Sequence, residues 1–138
     1  MLYTIRSSQK EDERLHIYVA APYTPDTNNV HDAARIADRN VATAIRAGIE
    51  IIKKGHYPYI PHLTHFVHLR MNDDEAQGND YWYPFTLAWL KRCDALLFLS
   101  SSKGADAELK YAQEHGLKVF LRIEDIPAVP INKEGLKE

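Results

Sequence analysis

The sequence predicts a small, doubly wound α/β domain of the flavodoxin- or Rossmann-like kind, three layers thick, with a parallel sheet of about four to five strands. Three observations predict it. Short apolar, partly β-branched runs at 16–21, 57–60, 95–99 and 117–123 read as buried strands. Stretches of helical period lie between them. Strands alternating with helices require right-handed crossovers, which make the sheet parallel. With 138 residues, 45% of them apolar and 26% charged, the chain fits one ordinary domain. Residues 1–15 read as a polar lead-in, 16–126 as the domain, and 127–138 as a weakly ordered tail or edge element containing Pro127, Pro130 and Gly135.

Taken in order, His16-Ile17-Tyr18-Val19-Ala20-Ala21 is a central strand stopped by Pro22 and Pro25. Asn28 or Asn29 then caps a long helix ending at Gly55, whose stripe Val30, Ala34, Ala37, Val41, Ala44 with Ile45, Gly48 and Ile52 is small enough to approach a sheet closely. Tyr57 to Ile60 forms a short strand held between prolines. The acidic, aperiodic segment 70–80 reads as a mobile loop able to act as a lid. Pro84 suits the first turn of a helix carried by Phe85, Trp89, Leu90 and Cys93 to Asp94. Ala95 to Leu99 is continuously apolar, as a strand covered on both faces is. Ser100 to Gly104 turns it into a further helix reaching Gly116, and Leu117 to Ile123 closes the sheet.

Seventeen basic against nineteen acidic side chains give a net charge of −2, so no bulk field is present to hold a nucleic-acid polymer or an acidic membrane. A small molecule is the expected partner. Cys93 is the single cysteine, which excludes an internal disulfide. The charged N-terminal segment and the lack of an 18-residue apolar run lead to the expectation of a soluble, cytoplasmic protein. No cofactor or metal is expected.

In doubly wound folds ligands gather at the carboxyl ends of the strands. Two loops lie there: Ala21-Pro22-Tyr23-Thr24 after the first strand, and Ser100 to Ala105 after the strand 95–99. The second opens a helix, so Ser102 and the free amides form either an anion site or a plain capped helix start, with Gly104 permitting close approach and Lys103 adding charge. Glu108 and Asp106 share the first turns of that helix, and only one of them can look into the crevice. Asp94, at the amino end of its strand, is read as structural. His62, His65 and His68 recur at steps of three; ligand contacts from His62 or His65 are favoured over a metal site, because no acidic or cysteine ligand accompanies them. Tyr81, Trp82, Tyr83 and Phe85 form either a surface for stacking a base or part of the core.

These residues fall into a known order. Ile17 to Thr24, Asn29-Val30, Gly55 to Phe66, Trp89 to Leu96 and Ser102 to Glu108 together resemble the nucleoside 2-deoxyribosyltransferase-like family over about residues 17–123. The resemblance implies cleavage of the N-glycosidic bond of a nucleoside or its 5'-monophosphate through a covalent sugar intermediate. Glu108 matches the nucleophile and Tyr18 the tyrosine that orients it. Ser102 matches the serine with which the monophosphate hydrolases bind phosphate, where the transferases carry an aspartate. The resemblance also implies a homo-oligomer, a dimer or larger. One position departs: the aspartate credited with handling the leaving base is Thr86 here. Asp80, His62 and His65 are the candidates to replace it. The alternative expectation is a catalytically idle nucleotide-binding or sensing module on the same scaffold.

Overall fold

The computed structural model describes residues 13–71 and 79–130, the side chains of Asn79 and Asp80 excepted. Strands β1 (His16–Ala20), β2 (Tyr57–Tyr59), β3 (Ala95–Phe98) and β4 (Lys118–Phe120) form one sheet in the order β2-β1-β3-β4, every pair parallel. The helices are α1 (Val30–Lys53), α2 (Thr64–His68), α3 (Asn79–Leu90) and α4 (Lys103–Glu114), with 3-10 turns at Pro61–Leu63 and Ile123–Asp125. The doubly wound α/β expectation therefore holds, with the reversal of strand order between β1 and β3. Among the described residues no helix is long and apolar enough to cross a membrane.

Alternation along β1 builds two cores. Ile17 and Val19 face one way, with Ala95 and Leu97, onto Ala44, Ala47 and Ile51 of α1. Tyr18 and Ala20 face the other way, with Leu96, onto Leu90 of α3 and Ala105 and Ala112 of α4. The second layer is the one that holds Tyr18.

Helix α1 begins where Asn29 accepts a hydrogen bond from the Asp32 amide at 3.0 Å. Of the expected stripe Ala37, Val41, Ala44 and Gly48 are buried, and Ala47 and Ile51 complete the buried face. Val30 and Ala34 precede the part of the helix that reaches the sheet and are exposed, and Ile52 points a step of about 100° away from Ile51. The Ile60 side chain fills the space that a Cβ on Gly48 would occupy, so this glycine is a packing requirement.

Three other expectations need correction. Helix α3 starts at Asn79, so Pro84 lies inside it, where it removes one backbone hydrogen bond, and the helix ends at Leu90. Of the lid expected over 70–80, residues 72–78 lie outside the described residues, while Asn79 and Asp80 already belong to α3. Of the weakly ordered tail or edge element expected over 127–138, residues 127–130 are docked, and 131–138 lie outside the described residues. Ile126 is in the core, the Val129 amide donates to the Lys54 carbonyl at 2.7 Å, and His56 receives the Leu15 amide on Nδ1 while its Nε2 donates to the Pro127 carbonyl at 2.6 Å. Prolines block helix and sheet but leave carbonyls free for such tethers.

Gly55 makes that docking possible. It has φ +94°, and the Val129 carbonyl stands where its Cβ would be. Gly116 also has a positive φ, +74°, but open space around it. Gly55→Ala is therefore expected to cost about 1–3 kcal/mol in backbone strain plus the loss of the strap contact. Gly116→Ala should bear the backbone part alone. Urea midpoints for the two variants check this, and equal losses would count against the strap contact.

Candidate active site

Tyr18 is the central residue of β1, wholly buried and directed into the layer beneath α3 and α4. Its hydroxyl donates to Glu108 Oε2 at 2.5 Å. Glu108 is only 9% exposed. Burial pushes its carboxyl up from the ordinary 4.5 to about 7, against the opposing pull of the Tyr18 hydrogen bond. Burial, and then the neighbouring Glu108, raise the Tyr18 phenol as well, so it remains a proton donor throughout the neutral range. The Thr86 hydroxyl beside the same phenol pulls the other way and lowers it. It stands within reach of the Trp82 and Tyr83 carbonyls one turn back, at 3.4 and 3.3 Å.

The start of α4 explains why Glu108 is the inward carboxylate. Ser102 has extended backbone and its Oγ accepts the Ala105 amide at 3.1 Å, which fixes the first turn. Asp106 turns outward, and both of its oxygens take the Ser101 hydroxyl at 2.8 Å. Two residues on, about 200° around the helix, Glu108 meets the sheet. Lys103 and Gly104 are exposed at the helix start, and no protein atom lies close to where a Gly104 Cβ would be.

Across the carboxyl end of β1, His62 donates from Nε2 to the Ala21 and Pro22 carbonyls at 3.0 and 3.1 Å. Burial lowers its pKa, so the ring is neutral. The Tyr23 hydroxyl bonds His65 Nδ1 at 2.7 Å, and Asn40 Nδ2 donates to the Tyr23 carbonyl at 3.1 Å. These contacts fix the loop after β1 from two sides. Trp82 donates from Nε1 to His68 at 3.4 Å, and its carbonyl lies within reach of the Thr86 hydroxyl. The three spaced histidines are divided between a 3-10 turn and α2, and no group of three metal-ligating side chains occurs among the described residues. Asp80 lies in α3, its side chain outside the described residues. Asp94 accepts the His16 amide at 2.9 Å at the amino end of the sheet, away from Glu108.

A family model described as a domain of unknown function, DUF7768, matches residues 15–122. The chain belongs to the DUF7768 family. No curated protein matches it. The matched span of the DUF7768 domain takes in all four strands, with Tyr18, Thr86, Ser102 and Glu108.

Within the DUF7768 domain, sequence reading missed Tyr59. It pairs in register with Tyr18, their rings 5.5 Å apart, and stacks on Trp89 at 5.6 Å. Burial raises its phenol first, then Cys93 and Glu108. Parity along β2 is the signal that could have found it, once β1 and β2 are known to be neighbours.

Proposed function

We propose that this protein cleaves the N-glycosidic bond of a nucleoside, preferentially a nucleoside 5'-monophosphate. The observation that carries the reading is the 2.5 Å hydrogen bond from Tyr18 to a buried glutamate at the switch point of the sheet. Such a pair suits covalent catalysis. Tyr18 holds one carboxylate oxygen, leaving the other to attack the anomeric carbon. The bond from carbon to base nitrogen breaks with its electron pair going to the base, which must gain a proton. Water, or a second base, then displaces the sugar from Glu108 and regenerates the carboxylate. The capped start of α4, with Ser102, Lys103 and the exposed Gly104, suits the 5'-phosphate. The loop Ala21-Pro22-Tyr23, pinned by His62 and His65, borders the same end of the sheet. A small molecule as ligand and a homo-oligomer as the assembly belong to the same proposal.

Thr86 favours a second reading. Among the described residues, the groups acting on the Tyr18 and Glu108 protons include no second carboxylate. Losing a general acid removes ~10²–10⁴ in rate, and a scaffold without one serves as a nucleotide-binding module. Incubation with a panel of deoxynucleoside and ribonucleoside 5'-monophosphates, with free base assayed, decides between the two. Release abolished by Glu108→Ala supports cleavage. Tight binding in calorimetry without turnover supports the module, and neither binding nor release defeats both.

A further inference from the structure

Three aromatic rings from three elements lie in contact, each with the next, and the first of them carries the hydroxyl on Glu108. Tyr18 of β1 and Tyr59 of β2 are register partners, with their rings 5.5 Å apart and 30° from parallel. Trp89 of α3 stacks on Tyr59 at 5.6 Å and 20°. Both spacings are those at which aromatic pairs attract. Tyr59 is partly buried against the core that contains Tyr18. Among the described residues its phenol is acted on by burial, Cys93 and Glu108 and by no hydrogen bond, so its ring rather than its hydroxyl fixes it in place. Strand β2 lies at the edge of the sheet, with β1 as its one neighbour, and Trp89 supplies the second contact from the helix above.

We propose that Tyr59 is a positioning residue for the Tyr18–Glu108 pair, its ring holding the Tyr18 ring in the one orientation that keeps the hydroxyl on Glu108, with Trp89 holding Tyr59. The role rests on the cleavage reading above, in which Tyr18 occupies one carboxylate oxygen and leaves the other to attack. A strand tyrosine has other rotamers open to it unless neighbours fill the space beside its ring. One hydrogen bond at the far end of the side chain contributes too little to exclude them. Without the Tyr59 ring, Tyr18 can turn into the vacated space and its hydroxyl leaves Glu108. The sign of the consequence is fixed. The Tyr18 hydrogen bond pulls the proton affinity of Glu108 down against burial, so losing that bond raises the affinity. Loosened packing that merely admits water acts the opposite way, by relieving the burial. Other titratable groups do not blur the distinction. Strand β3 contributes none, Asp106 of α4 turns outward onto Ser101, Tyr81 and Tyr83 of α3 are exposed, and Cys93 acts on Tyr59.

Titration of the Glu108 side-chain carboxyl by carbon-13 nuclear magnetic resonance of the full chain, without nucleotide, is the test. The signal is assigned by its absence in Glu108→Gln. The wild-type midpoint is expected at about 7. Tyr59→Leu should move it up by about half a pH unit or more, a roughly threefold gain in proton affinity, whereas Tyr59→Phe, which keeps the ring, should leave it in place. Trp89→Ala, on a half-exposed position that spares the fold, should move it the same way by less, and it decides the matter if Tyr59→Leu lacks a native circular dichroism spectrum. In base release, Tyr59→Leu should lower kcat by roughly 10–100-fold at nearly unchanged KM, the mark of a misplaced reacting group, and Tyr59→Phe should restore it. A midpoint that stays put or falls in the folded variant, or one that moves equally in Tyr59→Phe, would overturn the inference. A midpoint shifted as expected with no base released even by the wild type would defeat the cleavage reading and leave the hold of the Tyr59 ring on the pair standing.

Discussion

Replacing Glu108 by glutamine is expected to abolish glycoside cleavage and, in the same molecule, to stabilise the fold above neutral pH. The first effect follows from removing the proposed nucleophile while keeping the side chain's shape and its acceptor for Tyr18; losses of this kind run to ~10⁴–10⁶-fold in rate. The second follows from burial. The carboxyl titrates near 4.5 when unfolded and at about 7 when folded. A group raised in the folded state favours folding fully below its unfolded value, and that contribution is lost as pH rises through the folded one. Between those limits the wild type gives up about 3 kcal/mol, at 1.36 per tenfold change in proton affinity. Glutamine has no charge to desolvate. The stability difference between variant and wild type should therefore be small near pH 4.5, grow through pH 5–7, and level off above about pH 8. Urea unfolding across that range measures it, and a difference that stays flat with pH would show that Glu108 is not held in the buried, proton-retaining state described. Cleavage by the wild type should rise over the same interval, because only the ionised carboxylate attacks.

This opposition explains what part of the site could be read from the residues alone. The strand runs were legible because each is a local pattern, and their alternation with helices fixes a parallel sheet by chirality. Choosing Glu108 over Asp106 needed more. Helical angle shows that the two diverge, but only the placement of α4 on the face of β1 that carries Tyr18 says which turns inward. Tyr59 and the docking of 126–130 were illegible for a related reason. Both depend on neighbours distant in sequence: β2 beside β1 in one case, and Lys54, Gly55 and His56 beneath the C-terminal segment in the other. Pro84 misled because a local rule, proline in the first turn, was outweighed by the packing of Thr86 and Leu90, which holds α3 together through the proline.

Thr86→Asp is expected to raise the rate of base release by ~10²–10⁴-fold, the usual contribution of a positioned general acid. Thr86 is buried and acts on the Tyr18 hydroxyl that donates to Glu108, so a carboxyl of nearly the same size would stand beside the same pair. Two carboxyls joined through one phenol do not both ionise readily. One proton stays on the pair at neutral pH, where Glu108 alone already titrates at about 7. In the proposed reaction that proton is the one the departing base lacks in the wild type. The variant should accordingly show a bell-shaped pH profile, because the pair must hold one proton and not two or none, where the wild type shows a single rise. The same repulsion has a cost of known sign. The new carboxyl, raised in the folded state, lowers stability as pH increases, so the melting temperature of the variant should fall further below that of the wild type at pH 9 than at pH 6. A variant that shows this pH-dependent destabilisation, and so carries the buried carboxyl, yet releases base no faster than a wild type that does cleave would mean that proton delivery does not limit cleavage, whereas release by neither protein would leave the nucleotide-binding module as the better account of the site.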